Sequence, residues 1–162
     1  MNDIVRVTGF YRQTPTLRFV QKGRGVTSIT GEKLYEHQAL EAVQSVLLRH
    51  RMNPVFTMVL ADEGERVYRV HIELSAQTGP RAHDLAQEID TALGGLNLEY
   101  AAKRASGRLN PLALCWLQRG TGDAYRRYCV AAGQREGQFK PVALQRLAGF
   151  GFPIDDYRVA TP

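Results

Sequence analysis

Apolar and polar residues alternate through the first positions of the chain, where Val5, Val7 and Phe10 stand among polar neighbours until Thr14-Pro15 interrupts the run. Leu17, Phe19 and Lys22 belong to a second extended stretch. A period of two predicts two strands, paired as a hairpin about a Gln13-Thr14-Pro15 turn. Gly23-Arg24-Gly25 is a flexible break, and Val26 to Ile29 a short β-branched stretch. The period then lengthens. Leu40, Val43, Val46 and Leu47 recur at helical spacing, which predicts a helix from about Glu32 to Arg51, capped by Thr30 and carrying Lys33 in its first turn. It ends before Asn53-Pro54, because the residue ahead of a proline is biased out of the helical region.

Val55 to Leu60 and Val67 to Leu74 are strand-like runs around the polar turn Ala61-Asp62-Glu63-Gly64-Glu65 and predict a second hairpin. After a break at Gln77-Thr78-Gly79-Pro80, an amphipathic helix is predicted from about Arg81 to Leu93, with Gly94-Gly95 as its stop. Leu98 to Ser106 fits helix or strand. Leu112 to Leu117 predicts a buried strand, and Asp123 to Ala132 a short helix closed by Gly133. The last thirty residues carry glycine, proline and aromatics without a period. The order of elements is that of an α+β fold, a small mixed β-sheet with flanking helices.

Composition changes this picture little. With 162 residues, 44% hydrophobic and 23% charged, the chain is long enough for one domain with a core. No apolar run approaches the roughly 20 residues that cross a bilayer, and Met1 to Arg6 lacks the apolar stretch of a secretory signal. Cys115 and Cys129 lie in an apolar run and among helix formers, so both read as buried free thiols, and a reducing cytoplasm is expected. The net charge of +5 is dispersed, with short clusters at Lys103-Arg104 with Arg108 and at Arg126-Arg127. That favours an anionic ligand without identifying one.

Several chemistries find no support. His37, His50, His71 and His83 lack ligand spacing with one another or with cysteine, so no metal site is expected. Neither a Gly-x-Ser-x-Gly elbow nor a GxxxxGK[ST] loop occurs, and Lys22-Gly23-Arg24-Gly25 is too short to cradle a phosphate. Lysine is the informative residue, because only positions 22, 33, 103 and 140 carry it. Lys33 is a surface cation or one that reaches an anion. Lys140, in Gly137-Gln138-Phe139-Lys140-Pro141, sits in a segment held by an aromatic and a proline.

Short words in order sharpen the choice. Asp3-Ile4-Val5-Arg6-Val7-Thr8-Gly9-Phe10-Tyr11, then Thr14-Pro15 and Leu17-Arg18-Phe19-Val20, resembles the adenylation-to-C-terminal junction of the auxin-responsive (Gretchen Hagen) acyl acid amido synthetases. Ser28-Ile29-Thr30-Gly31-Glu32-Lys33, Tyr100 with Arg104, Pro111-Leu112, Arg119-Gly120-Thr121 and Gln138-Phe139-Lys140 follow in that family's order. The resemblance spans about Asp3 to Pro141. It implies a hinge and N-terminal β-hairpin at 1–25, a C-terminal lid domain of an adenylate-forming enzyme at 26–141, and a tail of unassigned structure at 142–162.

Members of that family activate a carboxylic acid with ATP and Mg²⁺, then pass the acyl group to an amino acid or other amine. By resemblance, Asp3 accepts hydrogen bonds from the ribose hydroxyls, Lys33 swings towards the adenylate phosphate, and Lys140 stands at the mouth of the site. An adenylation domain that binds ATP and acid is expected as a partner. The chain alone is expected to be inactive and to hold no cofactor, whether the chain is an excised domain or its other half lies on a separate polypeptide. Two rival readings stay open on residues alone. One is a basic α+β nucleic-acid-binding module, faintly suggested by Gly9-Phe10-Tyr11-Arg12; the other is a non-catalytic protein-interaction domain.

Overall fold

The computed structural model describes residues 3–22, 25–75 and 82–159. The expected hairpin is present as β1 (Asp3–Tyr11) and β2 (Thr14–Lys22). Its turn falls earlier than predicted: Tyr11 faces Thr14, and Arg12 takes φ 55°, leaving Pro15 inside β2 opposite Phe10. Proline is tolerated there because both strands of a two-stranded ribbon are edge strands. Among the described residues the ribbon pairs with no other strand. Val5, Val7 and Leu17 are exposed to solvent, as are Phe10 at 70% and Tyr11 at 69%.

β3 (Val26–Thr27) pairs antiparallel with β4 (Leu34–Tyr35), and α1 (Glu36–Arg49) follows directly. The helix therefore starts four residues later than the spacing predicted. Leu34 is fully buried and is held in extended backbone by Thr27, which outweighs the helical pattern downstream. Thr30 caps no helix. β5 (Pro54–Asp62) and β6 (Val67–Leu74) form the second hairpin. The Asp62 carboxylate accepts from the Glu65 amide at 3.1 Å and from the Arg69 guanidinium at 2.9 Å, which fixes the turn.

The predicted break at Gln77 to Pro80 lies outside the described residues. α2 (Ala82–Leu96) runs through Gly94-Gly95 instead of stopping there. A methyl at Gly94 would meet the Ala101 Cβ at 3.7 Å, so the glycine lies close under the next helix, α3 (Leu98–Ala105). Asn97 separates the two helices and caps α3, its Oδ1 accepting from the Tyr100 amide at 2.9 Å. β7 (Ala113–Leu117), α4 (Thr121–Ala131) and β8 (Leu144–Arg146) complete the regular elements.

The main sheet has the order β7-β6-β5-β8, with β5 and β6 antiparallel and β7 and β8 each parallel to its neighbour. It is the expected small mixed sheet with flanking helices. Alternate residues serve opposite faces. Val59, Val70 and Ile72 pack with Val43, Val46, Leu85, Ile89 and Leu93 of α1 and α2. Phe56, Met58 and Leu60 face Tyr125 and Cys129 of α4, together with Phe152 and Ile154. The region after 142 is thus part of the fold. Beyond β8, a 3-10 turn at Ile154–Tyr157 lies over the second face, and the Gln118 amide donates to the Tyr157 carbonyl at 2.8 Å.

Candidate functional site

Lys33 does not open a helix. It ends a loop, 28–33, whose geometry is set from inside. Gly31 takes φ +103°, a conformation that favours glycine, and the Ser28 hydroxyl accepts from its amide at 3.1 Å. Glu32 is fully buried and accepts from the Ile29 amide at 2.8 Å, the Thr30 amide at 2.9 Å, the Thr30 hydroxyl at 2.8 Å and the Tyr68 hydroxyl at 2.6 Å. Burial pushes the Glu32 carboxyl upward, but these four hydrogen bonds outweigh it and hold its pKa below the ordinary value. The Tyr68 hydroxyl is correspondingly pushed well above its usual range by burial and by that same carboxylate.

The Lys33 backbone is gripped from the other side by α3. Its amide donates to Glu99 Oε2 at 3.0 Å, and its carbonyl accepts from Asn97 Nδ2 at 2.8 Å. The same Asn97 amide reaches Gln38 Oε1 at 2.9 Å, which ties the loop to α1 as well. The Lys33 side chain itself is exposed. Among the described residues, no carboxylate pairs with its ammonium. A second cation is close: a methyl placed at Gly31 would stand 3.7 Å from Lys103 Nζ. Sequence reasoning proposed Lys33 as a candidate through the scarcity of lysine and the family resemblance. It missed Glu32, Asn97 and Glu99, whose roles depend on partners up to 66 residues away.

Lys140 is exposed and lines a separate open cleft of about 460 Å³ together with Gly25, Val26, Tyr125, Gln145 and Arg146. Lys33 is not among the residues that line it. Gly25, with φ +88°, is indispensable to this wall, because a Cβ there would collide with the Glu36 carboxylate. Glu36 joins three segments: its amide donates to the Gly25 carbonyl at 2.7 Å, and its Oε1 accepts from the Ala143 amide at 2.9 Å. Asp3 opens β1, and its side chain lies outside the described residues.

Two other words of the sequence resolve into structural clusters. Arg104 grips Asp90 with Nε at 2.9 Å and Nη2 at 2.8 Å, and its Nη1 donates to the Leu109 carbonyl at 2.8 Å. The Tyr100 hydroxyl donates a short hydrogen bond to the same carboxylate. Gly120 and Gly122, at the start of α4, donate their amides to Glu73 at 2.6 and 2.8 Å. A buried carboxylate thus satisfies a helix N-terminus and its dipole together.

The fold and this loop define a class: a mixed-sheet α+β domain that presents a lysine from a rigidly backed loop. The family model described as the GH3 family C-terminal domain matches residues 37–147, well over half of the chain. The chain belongs to that family. An indole-3-acetic acid-amido synthetase of Arabidopsis thaliana, GH3.17, is 27% identical over 98% of this chain and 28% of its own length. A probable indole-3-acetic acid-amido synthetase of Oryza sativa subsp. japonica, GH3.9, is 30% identical over 86% of this chain and 35% of its own. The solved GH3.15 acyl acid amido synthetase superposes with a TM-score of 0.80 over 99% of this chain and 31% of that one, at 21% identity, a likeness of fold. The chain thus spans about a third or less of each of these proteins.

Phe10 and Tyr11 are consecutive on β1 and so point to opposite faces of the ribbon, whereas a base-stacking platform needs its aromatics on one face. No helix among the described residues is long and apolar enough to cross a membrane.

Proposed function

We propose that this domain is the lid of an ATP-dependent acyl acid–amido synthetase. It would cap a site in an adenylation domain that binds ATP, Mg²⁺ and the carboxylic acid. There the acid's carboxylate attacks the α-phosphate, pyrophosphate leaves, and an acyl-adenylate forms. An amino acid or other amine then attacks the acyl carbon, giving an amide and AMP. In this reading Lys33 enters the site during the first step. Negative charge grows on the phosphate oxygens as pyrophosphate departs, and a cation aimed at that charge lowers the barrier. Asp3 would accept from the two ribose hydroxyls, a task suited to a carboxylate with several lone pairs. Lys140, beside the Gly25 hinge, would stand at the mouth.

The observation that carries this reading is the way Lys33 is offered. Its ammonium is exposed and unpaired among the described residues, while its backbone is hydrogen-bonded on both sides to α3. A solvated surface lysine needs no such anchoring. The free thiols of Cys115 and Cys129 suit a reducing compartment, and we place the protein in the cytoplasm.

The test is Lys33→Ala in the enzyme that carries both this domain and its adenylation domain. Acid-dependent ATP–pyrophosphate exchange should fall by about 10²-fold or more, with the Kd for ATP changed less than about threefold, because only transition-state binding is lost. Undiminished exchange would remove Lys33 from the site.

A further inference from the structure

We infer that Glu32, acting through Tyr68, is the positioning residue that aims Lys33. This rests on the role proposed above for Lys33 and adds a residue that the family resemblance did not single out. A Gly-Glu-Lys sequence between two short strands is ordinarily a solvated turn with both charges in water. Here the two neighbours part company. Lys33 faces outward, and Glu32 turns inward to complete burial.

A carboxylate has about four lone-pair sites, and four donors fill them: the Ile29 and Thr30 amides, the Thr30 hydroxyl and the Tyr68 hydroxyl, all within 2.9 Å. Three of those donors come from the loop itself, so the carboxylate acts as its internal template. The fourth comes from β6, a central strand of the main sheet, and the Tyr68 ring is itself only 1% exposed. The loop is thereby fastened to the most rigid part of the domain. Tyr68 also accepts from the Thr27 hydroxyl at 3.4 Å, which reaches the β3–β4 ribbon on which the loop is mounted.

The consequence concerns movement. With Glu32 anchored to the sheet and the Lys33 backbone held by Glu99 and Asn97, freedom begins beyond the Lys33 Cβ. The lysine then travels with the domain as a rigid body, and its placement depends on the orientation of the whole lid. Loosening the loop would disperse the ammonium over several positions. A displacement of about 1 Å at a reacting group can cost about 10²-fold in rate.

The experiment compares Glu32→Gln, Tyr68→Phe, Lys33→Ala and Phe152→Ala in the enzyme carrying both domains. Phe152 packs on the opposite sheet face and serves as a control for lost stability. Activity is read well below every melting temperature. Glu32→Gln should lower kcat for adenylation about 10- to 100-fold with KM for ATP within about twofold, Tyr68→Phe should do the same more weakly, and Phe152→Ala should keep kcat. In parallel, amide hydrogen exchange at Lys33 in the 162-residue chain should accelerate in Glu32→Gln and not in Phe152→Ala. Full kcat in Glu32→Gln beside an inactive Lys33→Ala would overturn the inference and leave the role of Lys33 standing. Full activity in Lys33→Ala would overturn both. If Glu32→Gln does not fold, Tyr68→Phe decides: unchanged kcat there, with unchanged exchange at Lys33, overturns the inference.

Discussion

His71 shows how much a single residue can hide from its sequence. It lies on β6 at 1% exposure, neither ring nitrogen has a hydrogen-bond partner among the described residues, and the Asp155 carboxylate is 4.0 Å away. Burial, reinforced by the Arg158 charge, pushes its pKa down to about 4 despite Asp155. The unfolded chain, with an ordinary histidine near 6.5, therefore binds the proton more readily than the fold does. Stability is fully present above pH 6.5 and is lost as the pH falls towards 4. Between pH 6.5 and 5, where ordinary carboxylates stay ionised, the loss should reach roughly 2 kcal/mol. Urea unfolding across that window should show it in the wild type, and a much flatter profile in His71→Leu. The four histidines were legible only as having no ligand spacing. Burial of one of them depends on the tail after 152, whose sequence has no period. Lys33 stands out as a candidate because lysine is rare, whereas Glu32 reads as a surface residue until Tyr68, 36 positions on, is placed beside it.

At the scale of elements, periodicity located both hairpins, the body of α1 and α2, β7 and α4. The failures share a cause. α1 starts late because pairing of Leu34 with Thr27 competes with helix, and α2 passes Gly94-Gly95 because α3 packs against that point. Both are tertiary contacts that local propensity does not contain. The same holds at the start of α4, which has Gly120 at its N-cap and no side-chain cap of its own. Glu73 from β6 supplies the missing acceptor. Glu73→Ala should therefore act as the loss of a helix cap and of two charge-assisted hydrogen bonds together, about 2–4 kcal/mol. Guanidinium unfolding would measure it. A loss below about 1 kcal/mol would mean that water replaces the carboxylate at no great cost. Phe152→Ala should cost about 3–5 kcal/mol, since that ring lies among Tyr125, Phe150 and Tyr157 at 5.2–6.4 Å between centroids.

For the whole molecule, the telling contrast is between the body and the ribbon of β1 and β2. The body buries large apolar residues on both sides of its sheet. The ribbon leaves Val5, Val7, Phe10, Tyr11 and Leu17 substantially exposed and, among the described residues, pairs with no other strand. A two-stranded ribbon is marginal alone in water, and five exposed apolar side chains on it read most simply as a surface that another body covers. On the proposed function that body is the adenylation domain, which places the hinge where the lid must pivot. Two measurements follow. The 162-residue chain by itself should show no acid-dependent ATP–pyrophosphate exchange, and robust exchange would contradict a lid role. Phe10→Asp should leave the unfolding free energy of the isolated chain within about 0.5 kcal/mol, as for surface positions without partners. In the enzyme carrying both domains, the same substitution should lower the melting temperature and slow turnover. Phe10 is already 70% exposed in this chain, so any change confined to the larger assembly reports the contact with the second domain. Equal effects in both settings would show instead that the ribbon belongs to the lid's own stability.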